Sequence, residues 1–277
     1  MMGQLRSMNP NYESWRLPSW DNPIAFPGGR QDPEILEIEQ NTSPQFFAQE
    51  YAAEFTAFAG KIYDEFNLNV HVKPIEYNPL WRHYWSFDYG WNAPFVCLDI
   101  MVDPEDNVYV WREYQKSHIA TWDHAHILKA RKDPPDFHVD AMFGDPRGAD
   151  AAANLELVLG PVWSQDVPTE VGIEYVKRWL KIQPNGLPKL FIDPSCVDLI
   201  RQMDQLHYEE TKDGRNPKEG QHKYDDHGPD ALRYFFSMFF VLGAGSSLSD
   251  VYSPGSRMSE GATFFRQNAN IDRYAKY

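Results

Sequence analysis

The sequence predicts an α/β protein built on a mixed sheet, in which an antiparallel three-strand meander precedes parallel strands and helices flank the whole. Three observations carry this. Runs at 80–87, 94–102 and 107–114 read as strands, and DPEDN between the last two is a hairpin turn. Two further strand-like runs, 137–143 and KLFID, each stand alone between helical stretches. The helical stretches are SHIATWDHAHILKARK, 149–159, PTEVGIEYVKRWLKI, 195–206 and the aromatic segment DALRYFFSMFF.

In chain order, residues 1 to about 45 are rich in Asn, Pro, Ser and Trp and show neither helical nor strand periodicity, so they read as an extended arm. From Ser43, SPQFFAQEYAAEFTAF sets Phe46, Phe47, Tyr51, Phe55 and Phe58 at helical spacing, behind a Ser suited to cap and a Pro suited to the first turn. Gly60 closes that helix. Between the last two helices, HYEETKDGRNPKEGQHK is longer than a plain connection needs, which marks a functional or mobile loop. The expected division is a linker and connecting helix over 1–60, a sheet domain over 61–243 and a flexible tail over 244–277.

The chain has 277 residues, 42 % of them hydrophobic, enough for one large core. No apolar run reaches the roughly 18 residues that span a bilayer, and MMGQLRSMNPNYESW is not a secretory signal, so the protein is expected to stay where it is made, away from membranes. Cys97 and Cys196 have no metal or disulfide spacing and read as reduced, structural thiols. A net charge of -14 argues against broad attraction to nucleic acid, although carboxylates converging on cations also produce an acidic surplus.

Three acids stand at element ends: Asp88 in SFDYGW, Asp145 in MFGDPRG and Asp230 at the start of the last helix. Adjacent parallel strands bring their carboxyl ends together, so Asp88 and Asp145 are candidate neighbours, with Asp230 delivered to the same edge. Such carboxylates repel unless hard divalent cations neutralise them, and Mg²⁺ favours oxygen ligands of this kind. Each also has a bland reading, as a turn residue or a helix-start acid. His227 lies three residues before Asp230, as a metal ligand, a proton donor or a cap, and Asp225 and Asp226 precede it as solvated caps. Asp123, His124 and His126 read as a polar helix face rather than a zinc site, because His124 and His126 fall on different faces. Glu113 reads as an acid supporting the cluster or an ordinary salt-bridge partner.

Taken together, SFDYGW with its hairpin, MFGDPRG and DDHGPDALRYFF resemble the nuclease domain of the phage terminase large subunit, in order over about residues 22–240. QFFAQEYAAEFTAFAGKIYDEFN is similar to the segment joining that family's ATPase to its nuclease. The resemblance implies an RNase H-like fold at 61–243 and a DNA-packaging endonuclease that cuts concatemeric double-stranded viral DNA in the host cytoplasm. It implies Asp88, Asp145 and Asp230 as ligands of two Mg²⁺ or Mn²⁺ ions, with His227 assisting. It also implies the terminase small subunit and the portal protein as partners.

The sequence departs from the family pattern in two places. No G-x-x-x-x-G-K-S/T phosphate loop occurs, so the family's ATPase is expected only in a longer protein. The usual Glu on the first helix has no counterpart in SHIATWDHAHILK, which leaves Asp226 or Asp225 as a further ligand. Arg147 and the loop cations Arg215, Lys218 and Lys223 are candidate DNA contacts. The competing expectations are another RNase H-like nuclease, such as a junction resolvase or ribonuclease, and a non-catalytic interaction module docking through its tail.

Overall fold

The computed structural model describes residues 4–5, 14–54, 60–131, 134–135, 137–208 and 225–242. The chain forms two units, Met1–Gly60 with Tyr208–Gly220, and Lys61–His207 with Gln221–Tyr277. The expected loop cations Arg215, Lys218 and Lys223 and the tail 244–277 lie outside the described residues.

In the first unit, the short strands β1 (Gln4–Leu5) and β2 (Ser14–Trp15) pair antiparallel. Helix α1 (Pro33–Asn41) follows, started by Asp32, whose side chain accepts the Glu34 N–H, and by Pro33 at the first helical position. Its Ile35 and Ile38 are buried with Phe47. Helix α2 (Pro44–Glu50) is capped by the Ser43 hydroxyl, which accepts the Phe46 N–H at 3.2 Å. Two expectations are corrected. Residues 33–41 are helical rather than extended, because Asp-Pro is itself a start signal. The second helix stops at Glu50, short of the expected 58, and Ala53 takes a left-handed φ of 50°; Phe55 and Phe58 lie outside the described residues.

The second unit opens with the single-turn helix α3 (Leu68–His71) and then builds a six-stranded mixed sheet. Its strands are β3 (Arg82–Asp88), β4 (Phe95–Val102), β5 (Val108–Lys116), β6 (Ala141–Gly144), β7 (Val162–Trp163) and β8 (Leu190–Ile192). The order across the sheet is β7-β6-β3-β4-β5-β8. The β3–β4–β5 meander is antiparallel, whereas β6 runs parallel to β3, β7 to β6, and β8 to β5. The expected α/β mixed sheet is therefore the fold. Strand β6 is shorter than the predicted 137–143 because Asp140 engages His83 differently: its carboxylate accepts the His83 N–H at 2.7 Å, and ladder pairing begins only at Ala141. The two-residue β7 is too short to leave a periodicity signal.

Around this sheet lie α4 (Thr121–Lys129), α5 (Ala149–Leu159), α6 (Thr169–Leu180), α7 (Val197–Gln205) and α8 (His227–Leu242). Strand alternation assigns the faces. Trp85 and Phe87 of β3 join a core with Ala125 and Leu128 of α4 and with Leu155 and Val158 of α5. Tyr84 and Ser86 point the other way, to α8: Tyr84 packs 5.6 Å from Phe235, and the Ser86 hydroxyl donates to the Ala231 carbonyl at 2.6 Å. Helix α8 is apolar almost all round, with Ala231, Leu232, Phe235, Phe236 and Phe239 buried. Cys97 and Cys196 are buried free thiols, as expected. Among the described residues no helix is long and apolar enough to cross a membrane.

The ends of β3 and β6 are interlocked. Tyr89 lies over Gly144 and Gly148 so closely that a Cβ at either glycine would overlap its ring. Gly148→Ala is expected to destabilise the unit by roughly 1–3 kcal/mol, the usual cost of overpacking. The loss should appear as a lower urea midpoint, and Tyr89→Leu in the same chain should recover part of it. An unshifted midpoint in Gly148→Ala contradicts the interlock.

Candidate active site

Register brings the first two acids together. In the parallel β3–β6 ladder Phe87 stands opposite Gly144; Asp88 is the last residue of β3, and Asp145 is the first residue after β6. Period-two alternation puts Asp88 on the same face as Tyr84 and Ser86, beneath α8. There the His227 imidazole meets it, with Nδ1 2.9 Å from Asp88 Oδ2. Because an ionised carboxylate only accepts, Nδ1 carries the proton and Nε2 is the remaining ring nitrogen.

The third acid, Asp230, is in the first turn of α8, three residues after His227, and accepts a hydrogen bond from Arg233 Nε at 3.1 Å. Asp145 lies in the turn after β6, where its Oδ1 accepts from the Arg147 backbone N–H at 2.9 Å and from Arg147 Nε at 3.3 Å. Arg147 also donates through Nη2 to the Tyr234 hydroxyl on α8, at 3.2 Å. Thus each acid has a basic partner of its own: His227 for Asp88, Arg147 for Asp145 and Arg233 for Asp230.

Electrostatics link the three acids. Burial pushes the Asp88 carboxyl up to about 6; the His227 hydrogen bond opposes this, and the charges of Asp230 and Asp145 add to it. The hydrogen bond to Asp88 raises the His227 imidazole, against burial. Asp226 is raised by burial and then by Asp230, so it also feels the cluster. Tyr234 is held protonated by burial and by Asp230, with smaller contributions from Asp88 and Asp145.

Asp225 is used differently. Its carboxylate binds Arg201 and accepts from Gln202 Nε2 at 2.6 Å, both on α7, and the Arg201 bond lowers its pKa. Gln202 Oε1 in turn accepts the Gly228 N–H at 2.9 Å, so Asp225 and Gln202 fasten the start of α8 to α7. Glu113 is neither a support for the cluster nor a plain salt-bridge partner: its two oxygens accept the N–H groups of Asp198 and Leu199 at the start of α7. His124 is buried, stacked 4.2 Å from Phe95 and bonded to the Tyr114 hydroxyl, while His126 is exposed, as expected for residues on different faces. The sequence reading missed Arg233 and Tyr234, three and four residues past Asp230, and Gln202, which has no sequence signal pointing to α8.

Among the described residues no three His, Cys, Asp or Glu side chains are gathered closely enough to hold a metal ion in this conformation. The donor chemistry nonetheless fits a hard divalent cation: Asp88 is buried, and the charges of Asp145 and Asp230 both reach it.

The raised pKa has a stability consequence with a defined sign. Between pH 3.8 and about 6 the folded chain binds more protons at Asp88 than the unfolded chain, so this group lowers stability as pH rises through that window. The loss is on the order of 3 kcal/mol, at about 1.4 kcal/mol per pKa unit. In metal-free buffer Asp88→Asn is therefore expected to be more stable than the wild type at pH 7 and close to it at pH 3.5, measured by urea unfolding. A variant less stable at pH 7 contradicts a strained Asp88.

No family model matches the chain. It is 28 % identical over 243 residues to the "Terminase, large subunit" of Escherichia phage T5, an alignment covering 79 % of this chain and 51 % of that protein. The chain thus spans about half the length of the curated relative it matches. Its structure is similar to the large terminase of a thermophilic bacteriophage, with a TM-score of 0.64, 20 % identity and coverage of 75 % of this chain and 51 % of that one. It is also similar to the P22 large terminase nuclease domain, with a TM-score of 0.52, 16 % identity and coverage of 66 % of this chain and 94 % of that domain. The chain has the RNase H-like fold of terminase nuclease domains and is similar in sequence to a phage terminase large subunit.

Proposed function

We propose that the chain is the nuclease portion of a DNA-packaging motor, a divalent-metal-dependent endonuclease acting on concatemeric double-stranded viral DNA. The observation that carries this reading is Asp88, buried and bonded to His227 at the end of β3, with Asp145 following the adjacent parallel strand. Asp88, Asp145 and Asp230 are the residues that would hold Mg²⁺ or Mn²⁺, with Asp226 nearby. Two bound ions would supply activation of water and stabilisation of the departing 3′ oxygen. His227 holds Asp88 through Nδ1 and leaves Nε2 to carry or accept a proton at the site. Arg147, with a 72 % exposed side chain, is placed to meet a DNA phosphate, and phosphate contacts carry no base information, so cutting should be sequence-tolerant.

Residues 61–243 are the proposed nuclease domain, 1–60 the linker and connecting helix, and 244–277 a tail for assembly. In the full protein an ATPase portion, the terminase small subunit and the portal protein complete the motor in the host cytoplasm. Similarity to a terminase large subunit supports this assignment.

Plasmid digestion with Mn²⁺ or Mg²⁺ tests the activity. Wild-type chain should nick and linearise the plasmid, and Asp88→Ala and Asp230→Ala should cut at least ~100-fold more slowly, comparable with removal of a major electrostatic group. Equal cutting by all three chains contradicts the assigned site. Cleavage confined to RNA–DNA hybrids or branched DNA assigns the fold to a ribonuclease or junction resolvase instead.

A further inference from the structure

Of the three basic side chains that partner the acids, only one is exposed. The Arg233 side chain is 4 % exposed and the His227 side chain 22 %, whereas the Arg147 side chain is 72 % exposed and lies in a turn rather than in a packed helix. Arg147 takes Asp145 Oδ1 with its backbone N–H and with Nε, while Nη2 reaches across to the Tyr234 hydroxyl. The guanidinium therefore occupies one of the two carboxylate oxygens that Asp145 could offer a metal ion, and it ties the β6 turn to α8.

We infer that Arg147 is a displaceable counter-ion: it neutralises Asp145 while the site lacks a divalent cation and gives up that carboxylate when the cation arrives. This rests on the nuclease reading of the three acids. Tyr234 is a positioning residue in this arrangement, because its neutral hydroxyl holds the guanidinium in the covering position without touching Asp145.

An exposed ion pair is worth little, so the competition should be modest and measurable. Mn²⁺ binding to the full 277-residue chain, read by calorimetry and by the electron paramagnetic resonance of free Mn²⁺, separates the outcomes. Arg147→Gln should bind Mn²⁺ about two- to fivefold more tightly than wild type, the range expected from losing an exposed pair. Tyr234→Phe changes no charge and should shift affinity the same way by a smaller factor, while Arg147→Lys should lie between wild type and Arg147→Gln. If wild type binds Mn²⁺ and Arg147→Gln does not tighten it, the counter-ion inference is wrong and the nuclease reading survives. Tightening in Arg147→Gln without any in Tyr234→Phe also overturns it, since charge removal at a distance then suffices. Absence of Mn²⁺ binding at Asp88, with Asp88→Ala indistinguishable from wild type, overturns the inference together with the reading beneath it.

Discussion

A carboxylate buried where a strand ends beneath a helix is the constraint on which the rest of this structure depends. Asp88 is 7 % exposed, and burial alone would favour its neutral form. The fold keeps it there by supplying His227 at 2.9 Å and by closing α8 over the sheet. Burying each of Leu232, Phe235, Phe236 and Phe239 stabilises the fold by about 1.5–3 kcal/mol. The four side chains together outweigh the roughly 3 kcal/mol that the strained carboxyl costs. The aromatic face of α8 and the acidic start of the same helix are thus two parts of one arrangement, since the first holds the second in place.

The same logic extends to the surrounding contacts. The start of α8 cannot drift, because Asp225 and Gln202 fasten it to α7, and α7 is itself seated on the β5 carboxylate Glu113. The β6 turn cannot drift from β3, because Tyr89 fills the space left by Gly144 and Gly148. Rigid elements therefore position all three acids, and the exposed partner Arg147 is the one adjustable piece among them.

Much of this was legible in the sequence because it rests on local patterns. The strand runs, the DPEDN hairpin and the helical spacing of the C-terminal aromatics each encode their element directly, and the acids at element ends follow from them. Helix α1 was equally legible, in Asp32-Pro33, but the surrounding Pro and Asn residues obscured it. Strand β7 was not, because two residues carry no period. The tertiary roles were hidden for a different reason. Nothing local says that Glu113 will cap a helix 85 residues later or that Gln202 will bridge Asp225 and Gly228, since both depend on which elements pack together. Arg233 is a local partner, three residues past Asp230 on one helix, whereas the partner of Tyr234 emerges only when α8 is laid across the β6 turn.

The most direct test of the central claim is anomalous diffraction from crystals of the chain soaked in Mn²⁺. The expected result is a manganese peak bounded by oxygens of Asp88 and of at least one of Asp145 and Asp230, with the Arg147 side chain withdrawn from Asp145. Manganese bound at other acids, such as Asp198 and Asp225, with none at Asp88, in a chain that cuts DNA, would contradict it.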